Sequence, residues 1–142
     1  MMDKIEIILQ CIRYLKETTE SRVVFGGSYG LYIQGIDLNR DFHDIDIKFL
    51  DLNEDALKKL RLDFKPVIHK LKECHAVSPE YKEVDFHGEK ILVFTPKTII
   101  DCKKYTLDFI ENGAKIMSPG RIHSAEKNKA DLQYLKEHYE IE

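Results

Sequence analysis

Ile5, Ile8, Leu9, Ile12 and Leu15 recur at the three-and-four spacing of an amphipathic helix, which predicts a helix over 3–18 that Asp3 can cap. Residues 22–25 read as a short apolar strand, and 28–34 as a short helix ended by Gly35. A loop over 36–42 leads to Asp44-Ile45-Asp46-Ile47, whose period-two alternation opens a second strand over 44–50. Asn53 can cap a helix over 53–60, with Glu54 and Asp55 in its first turn. Residues 63–77 fit either state: Val67, Ile68 and Leu71 suit both, and Pro66 marks a boundary before them. Residues 81–94 predict a hairpin, with Val84-Asp85-Phe86 and Ile91–Phe94 as its arms and His87-Gly88 at the turn. Thr95 and Pro96 are cap and first position of a helix over about 96–112, stopped by Gly113. A loop broken by Pro119-Gly120 precedes a last helix over about 124–139, with Ala125, Leu132, Leu135 and Tyr139 facing in.

Composition narrows the class. A chain of 142 residues with 43% hydrophobic and 33% charged residues has the make-up of one soluble globular domain. The net charge of -3 excludes a global basic footprint for nucleic acid and leaves room only for a local basic cleft. The three cysteines, Cys11, Cys74 and Cys102, are odd in number and widely spaced, which suggests reduced thiols in a reducing compartment. No apolar run approaches membrane-spanning length and no signal peptide precedes the first helix, so the expected location is the cytoplasm. Cys74, His75 and His69 have no second ligand pair at zinc-like spacing.

The candidate chemistry lies between Phe25 and Phe49. On a strand, Asp44 and Asp46 share one face while Ile45 and Ile47 turn to the other and can pack into a core. Adjacent carboxylates repel unless a cation or a shared proton lies between them. A divalent cation with oxygen ligands, Mg²⁺ foremost, resolves that conflict; the plainer reading puts both aspartates on the wet face of a half-exposed strand. Upstream, Gly26-Gly27-Ser28 lacks side-chain bulk, so backbone N–H groups can approach phosphate oxygens, and a helix starting at Ser28 would aim its dipole at them. A phosphate cradle and a metal-binding carboxylate pair together describe a nucleoside triphosphate site. No Gly-Lys-Ser/Thr follows the glycines, so this is not a Walker P-loop, and it is not the dinucleotide Gly-x-Gly-x-x-Gly either.

Phe25-Gly26-Gly27-Ser28 followed by Asp44-Ile45-Asp46-Ile47 resembles the signature of the nucleotidyltransferase superfamily related to DNA polymerase beta. With Leu31, Gly35 and Arg40 between the two parts, the stretch resembles the toxin-like branch typified by abortive-infection AbiEii proteins. The resemblance implies an α+β fold, a small mixed β-sheet with helices packed mainly on one face. It also implies a third carboxylate on a strand beside the Asp-x-Asp strand, and Asp85, flanked by Val84 and Phe86, is the residue carried to that role ahead of Glu83 and Glu89. Arg40 reads either as a structural ion pair or as a phosphate contact. Lys103 falls among Ile100, Leu107 and Ile110; it either snorkels from the core edge or, as the resemblance implies, neutralises triphosphate charge. Lys127 and Asp131-Leu132-x-x-Leu135 are similar to a further pattern of related sequences, except that Asn128 stands where that pattern has aspartate.

The implied activity is transfer of a nucleoside monophosphate from a triphosphate such as ATP to an acceptor hydroxyl. Mg²⁺ or Mn²⁺ would be held by Asp44, Asp46 and Asp85, and the nucleotide by Gly26, Gly27, Ser28, Arg40 and Lys103. The sequence does not name the acceptor, which could be an antibiotic, a transfer RNA end, a protein side chain or a small metabolite. The alternative is a binding protein of the same fold without turnover, the partner subunit of a toxin–antitoxin pair.

Overall fold

The structure, a computed structural model, describes residues 3–20, 22–40, 45–51, 80–113 and 119–139. The expectations for Asp44, for the helix over 53–60, for 63–77 and for Cys74, His75 and His69 lie outside the described residues.

The architecture is α+β, as expected from the resemblance. In chain order it comprises α1 (Lys4–Thr18), β1 (Val23–Gly26), α2 (Gly27–Ile33), β2 (Asp46–Phe49), β3 (Tyr81–Phe86), β4 (Glu89–Phe94), α3 (Pro96–Asp108), a π-helical turn (Phe109–Gly113) and α4 (Pro119–Tyr139). The strands form one mixed sheet in the order β2-β1-β4-β3. β1 pairs antiparallel with β2 and parallel with β4, and β3 with β4 is the expected hairpin.

Local chemistry accounts for most boundaries. Asp3 caps α1, its carboxylate accepting from the Glu6 N–H at 2.8 Å. Thr95 caps α3, its hydroxyl accepting from the Thr98 N–H, with Pro96 at the start of the helix. His87 and Gly88 both take positive φ, the geometry a two-residue hairpin turn requires. Two boundaries differ from expectation. The last helix starts at Pro119 rather than near 124, because proline suits the first helical position as well as a loop. The helix over 96–112 leaves α-geometry after Asp108 and widens into the π-turn before Gly113.

The sheet has a core on each face. α1 lays Ile8, Cys11, Ile12 and Leu15 over Phe25, Ile47, Phe49, Ile91 and Val93. On the other face Val24, Leu92 and Phe94 meet Ile99 and Ile100 of α3 and Leu132 and Leu135 of α4. The Tyr139 hydroxyl at the end of α4 donates to the Asp37 carbonyl at 3.2 Å and accepts from the Asp37 N–H at 3.1 Å. No helix among the described residues is long and apolar enough to cross a membrane.

Of the thiols expected to be reduced, Cys11 is free, whereas Cys102 is disulfide-bonded. Cys11 has no exposure, and burial pushes its thiol up to about 12. Cys11 is therefore expected to stay unlabelled by a thiol reagent at mildly alkaline pH while the chain is folded, and to react on unfolding. Rapid labelling of the native protein would show that α1 detaches from the sheet.

Candidate functional site

The site forms where the β1–α2 turn meets β2 on the sheet face covered by α3 and α4. The alternation predicted for β2 places Ile45 and Ile47, 1% and 2% exposed, in the α1 core. Asp46 and Lys48 therefore turn toward the opposite face. Register then sets Asp46 directly across from Gly26.

Gly27 follows with φ +62, and a Cβ there would fall 2.0 Å from Asp46 Oδ2. Glycine is needed at 27 on two counts: the left-handed backbone and the carboxylate that occupies the space a side chain would take. Sequence reasoning had reserved that space for phosphate.

Gly26, Gly27, Ser28, Asp46, Lys48, Phe94, Lys103, Lys127 and Asn128 line one cavity of about 90 Å³. Behind it lies a charge network. Arg40 grips Asp131 with both arms, Nε donating to Oδ1 and Nη2 to Oδ2, each at 2.7 Å. The same Nη2 donates to Ser28 Oγ at 2.9 Å, and Lys103 Nζ donates to Asp131 Oδ2 at 3.1 Å. The Asp131 carboxylate is 2% exposed and the Lys103 side chain 9%, so these are buried charges satisfied by one another.

Burial alone would push the Asp131 carboxyl up, but the Arg40 hydrogen bonds and the Lys103 charge outweigh it and hold it below the usual aspartate value. For Lys103 burial prevails over the pull of Asp131 and, with the nearby charges of Arg40 and Lys127, draws the ammonium below the usual lysine value. Lys48 and Lys127 form no ion pair with another described residue. Among the described residues, Arg40, Lys48, Lys103 and Lys127 stand around the cavity against the carboxylates of Asp46 and Asp131, a local cationic excess in a chain of net charge -3.

The sequence candidates thus divide. Gly26, Gly27, Ser28, Asp46, Arg40 and Lys103 converge on one site, and Arg40 and Lys103 do so through a common carboxylate. Asp44 lies outside the described residues.

Asp85 does not join them. Its register partner Lys90 shows that it faces the same side of the sheet as Asp46, but β3 is the far edge, three strand spacings or roughly 14 Å away. Along the strands, the residue level with Asp46 is Tyr81, and Asp85 lies four positions beyond it, roughly 13 Å further. Its carboxylate instead accepts from the Gly88 N–H at 3.0 Å and braces the hairpin turn. The strand pattern gave Asp85 its face; the order of strands, which local sequence does not encode, took it out of reach. Glu83, its rival, lies opposite Leu92 on the same edge strand.

Sequence reasoning noted Lys127, Asn128 and Asp131 only through their likeness to a pattern of related sequences, without a role at this site, and did not single out Lys48. The signal was available on α4, where Asn128 and Asp131 interrupt the apolar stripe of Ala125, Leu132 and Leu135; both prove buried, at 5% and 2% exposed. The chain matches no protein-family model, no curated protein and no solved structure.

Proposed function

We propose that this cavity binds the phosphates of a nucleoside triphosphate, with Mg²⁺ or Mn²⁺, and that the chain is a metal-dependent nucleotidyltransferase acting on an acceptor hydroxyl. The observation that carries the reading is the contact between the Gly26-Gly27 turn and Asp46 inside a cavity rimmed by lysines. A carboxylate kept against a bare glycine turn, with cations around it, suits a metal–phosphate group better than either a lone anion or a lone cation.

The donor chemistry fits the metal: Asp46 offers the hard oxygen that Mg²⁺ prefers, and Asp44 is the neighbour that would share it. When bound, the metal would neutralise phosphate charge and acidify the acceptor hydroxyl. The chain's own part is positional. Lys48, Lys103 and Lys127 supply positive charge, and Ser28 and Arg40 fix the turn that meets the phosphates. A cavity of about 90 Å³ holds on the order of three waters, so it encloses phosphoryl-sized groups and leaves base and sugar at the rim.

The position of Asp85 favours a second reading. With Asp85 out of reach of Asp46, nucleotide binding without turnover, as in a partner subunit, explains the same cavity. Incubation with each labelled triphosphate and Mg²⁺, with cell extract as acceptor pool, separates the two: transfer of label supports the enzyme, and binding without transfer supports the partner. Asp46→Asn is expected to abolish Mg²⁺-dependent triphosphate binding in calorimetry and leave the chain folded at ordinary temperature, since the amide keeps the shape of the carboxylate and removes only its charge. Unfolding of Asp46→Asn at ordinary temperature would make the residue structural and end the reading.

A further inference from the structure

Asn128 is 5% exposed, lines the cavity, and its side-chain amide makes no hydrogen bond with another described residue. Its amide atoms are not sealed from solvent, so the amide opens onto the cavity, where a ligand oxygen can reach it. Asn128 stands on α4 one helical turn before Asp131, whose carboxylate holds Lys103, and next to Lys127; both lysines line the cavity with it.

Charge explains why an amide suits the place. A carboxylate at 128 would pair with Lys127 or Lys103 and cancel part of the cationic excess; the amide leaves that charge to a ligand and adds a donor of its own. We infer that Asn128 is a ligand-reading residue, its amide NH₂ donating to a phosphoryl oxygen held by Lys103 and Lys127, and that its neutrality keeps the cavity selective for polyanions. This rests on the phosphate-binding reading above and deepens it by naming the group on α4 that meets the phosphate.

Calorimetric titration of the full chain with inorganic tripolyphosphate plus Mg²⁺ tests it, with wild type, Asn128→Ala and Asn128→Asp compared and thermal melts confirming that each is folded. Asn128→Ala is expected to weaken binding on the order of 10-fold, the worth of one hydrogen bond to a charged group. Asn128→Asp is expected to weaken it by a further factor on the order of 10, because it sets like charge against the ligand. A merely structural asparagine would not produce that ordering. Affinities of both variants within about twofold of wild type would overturn the inference while leaving the phosphate site standing. Unchanged tripolyphosphate binding with weakened binding of a nucleoside triphosphate would also overturn it, by moving Asn128 to the sugar or base. Failure of wild type to bind tripolyphosphate would overturn the phosphate reading itself. If Asn128→Asp does not fold, the Asn128→Ala arm decides alone.

Discussion

Asp131→Ala is expected to lower folding stability by about 3–5 kcal/mol, the range for removing one partner from a buried ion pair, read from the midpoint of a urea titration. The cost is high because two cations depend on one carboxylate. Arg40 would lose both arms of its grip, and Lys103, 9% exposed, would be left charged without a counter-ion or forced to give up its proton. Arg40 also donates to Ser28 Oγ, so its release should loosen the glycine turn and weaken triphosphate binding together with the fold. An unchanged midpoint would mean that the network contributes nothing net.

The pH dependence carries a sign. Asp131 titrates below the usual aspartate value in the folded chain, so the stability it contributes is complete above that usual value and is lost as pH falls through the folded one. Lys103, drawn down chiefly by burial, acts in the same direction at the alkaline end: stability rises as pH climbs from its folded value toward the ordinary lysine value. Asp131→Asn should flatten the acid limb of a plot of midpoint against pH.

Gly27→Ala is expected to lower triphosphate affinity by on the order of 10-fold or more, taking about 1.5–3 kcal/mol for one lost charge-assisted hydrogen bond. Stability should also fall by at least the ~1–2 kcal/mol that a non-glycine residue costs in left-handed backbone. The methyl group must displace the Asp46 carboxylate, whose Oδ2 lies 2.0 Å from where that carbon would be placed. Gly35→Ala is the matched control: Gly35 has φ +88, but nothing lies within 4 Å of its Cβ position. Gly35→Ala should show the backbone cost alone, with triphosphate affinity unchanged. Equal affinity losses for the two variants would mean that the clash with Asp46 does not matter to binding.

The legible parts of the site were those built by short-range rules. Strand alternation turned Asp46 away from the α1 core because successive Cβ positions must alternate. Asp3, Thr95 and Pro96 marked helix starts through backbone groups a few positions away. Asp131 could not be read in this way, since its partners are 91 and 28 positions distant in sequence. The same limit misplaced Asp85: parity fixes a face, but which strand enters beside which is decided by packing across the whole sheet. At Pro119, one residue serves equally to break a chain and to begin a helix, and the local sequence does not choose between them.

The Arg40–Asp131–Lys103 network also sets an order of events during synthesis. The ribosome delivers the glycine turn, Arg40 and β2 first, then the hairpin and Lys103, and Asp131 only with α4. Until that helix docks, the two cations have no shared anion and the rear wall of the cavity is missing. A nascent chain halted before residue 119 should therefore be unable to retain tripolyphosphate even with its sheet formed, so that competence to bind arrives in a single late step.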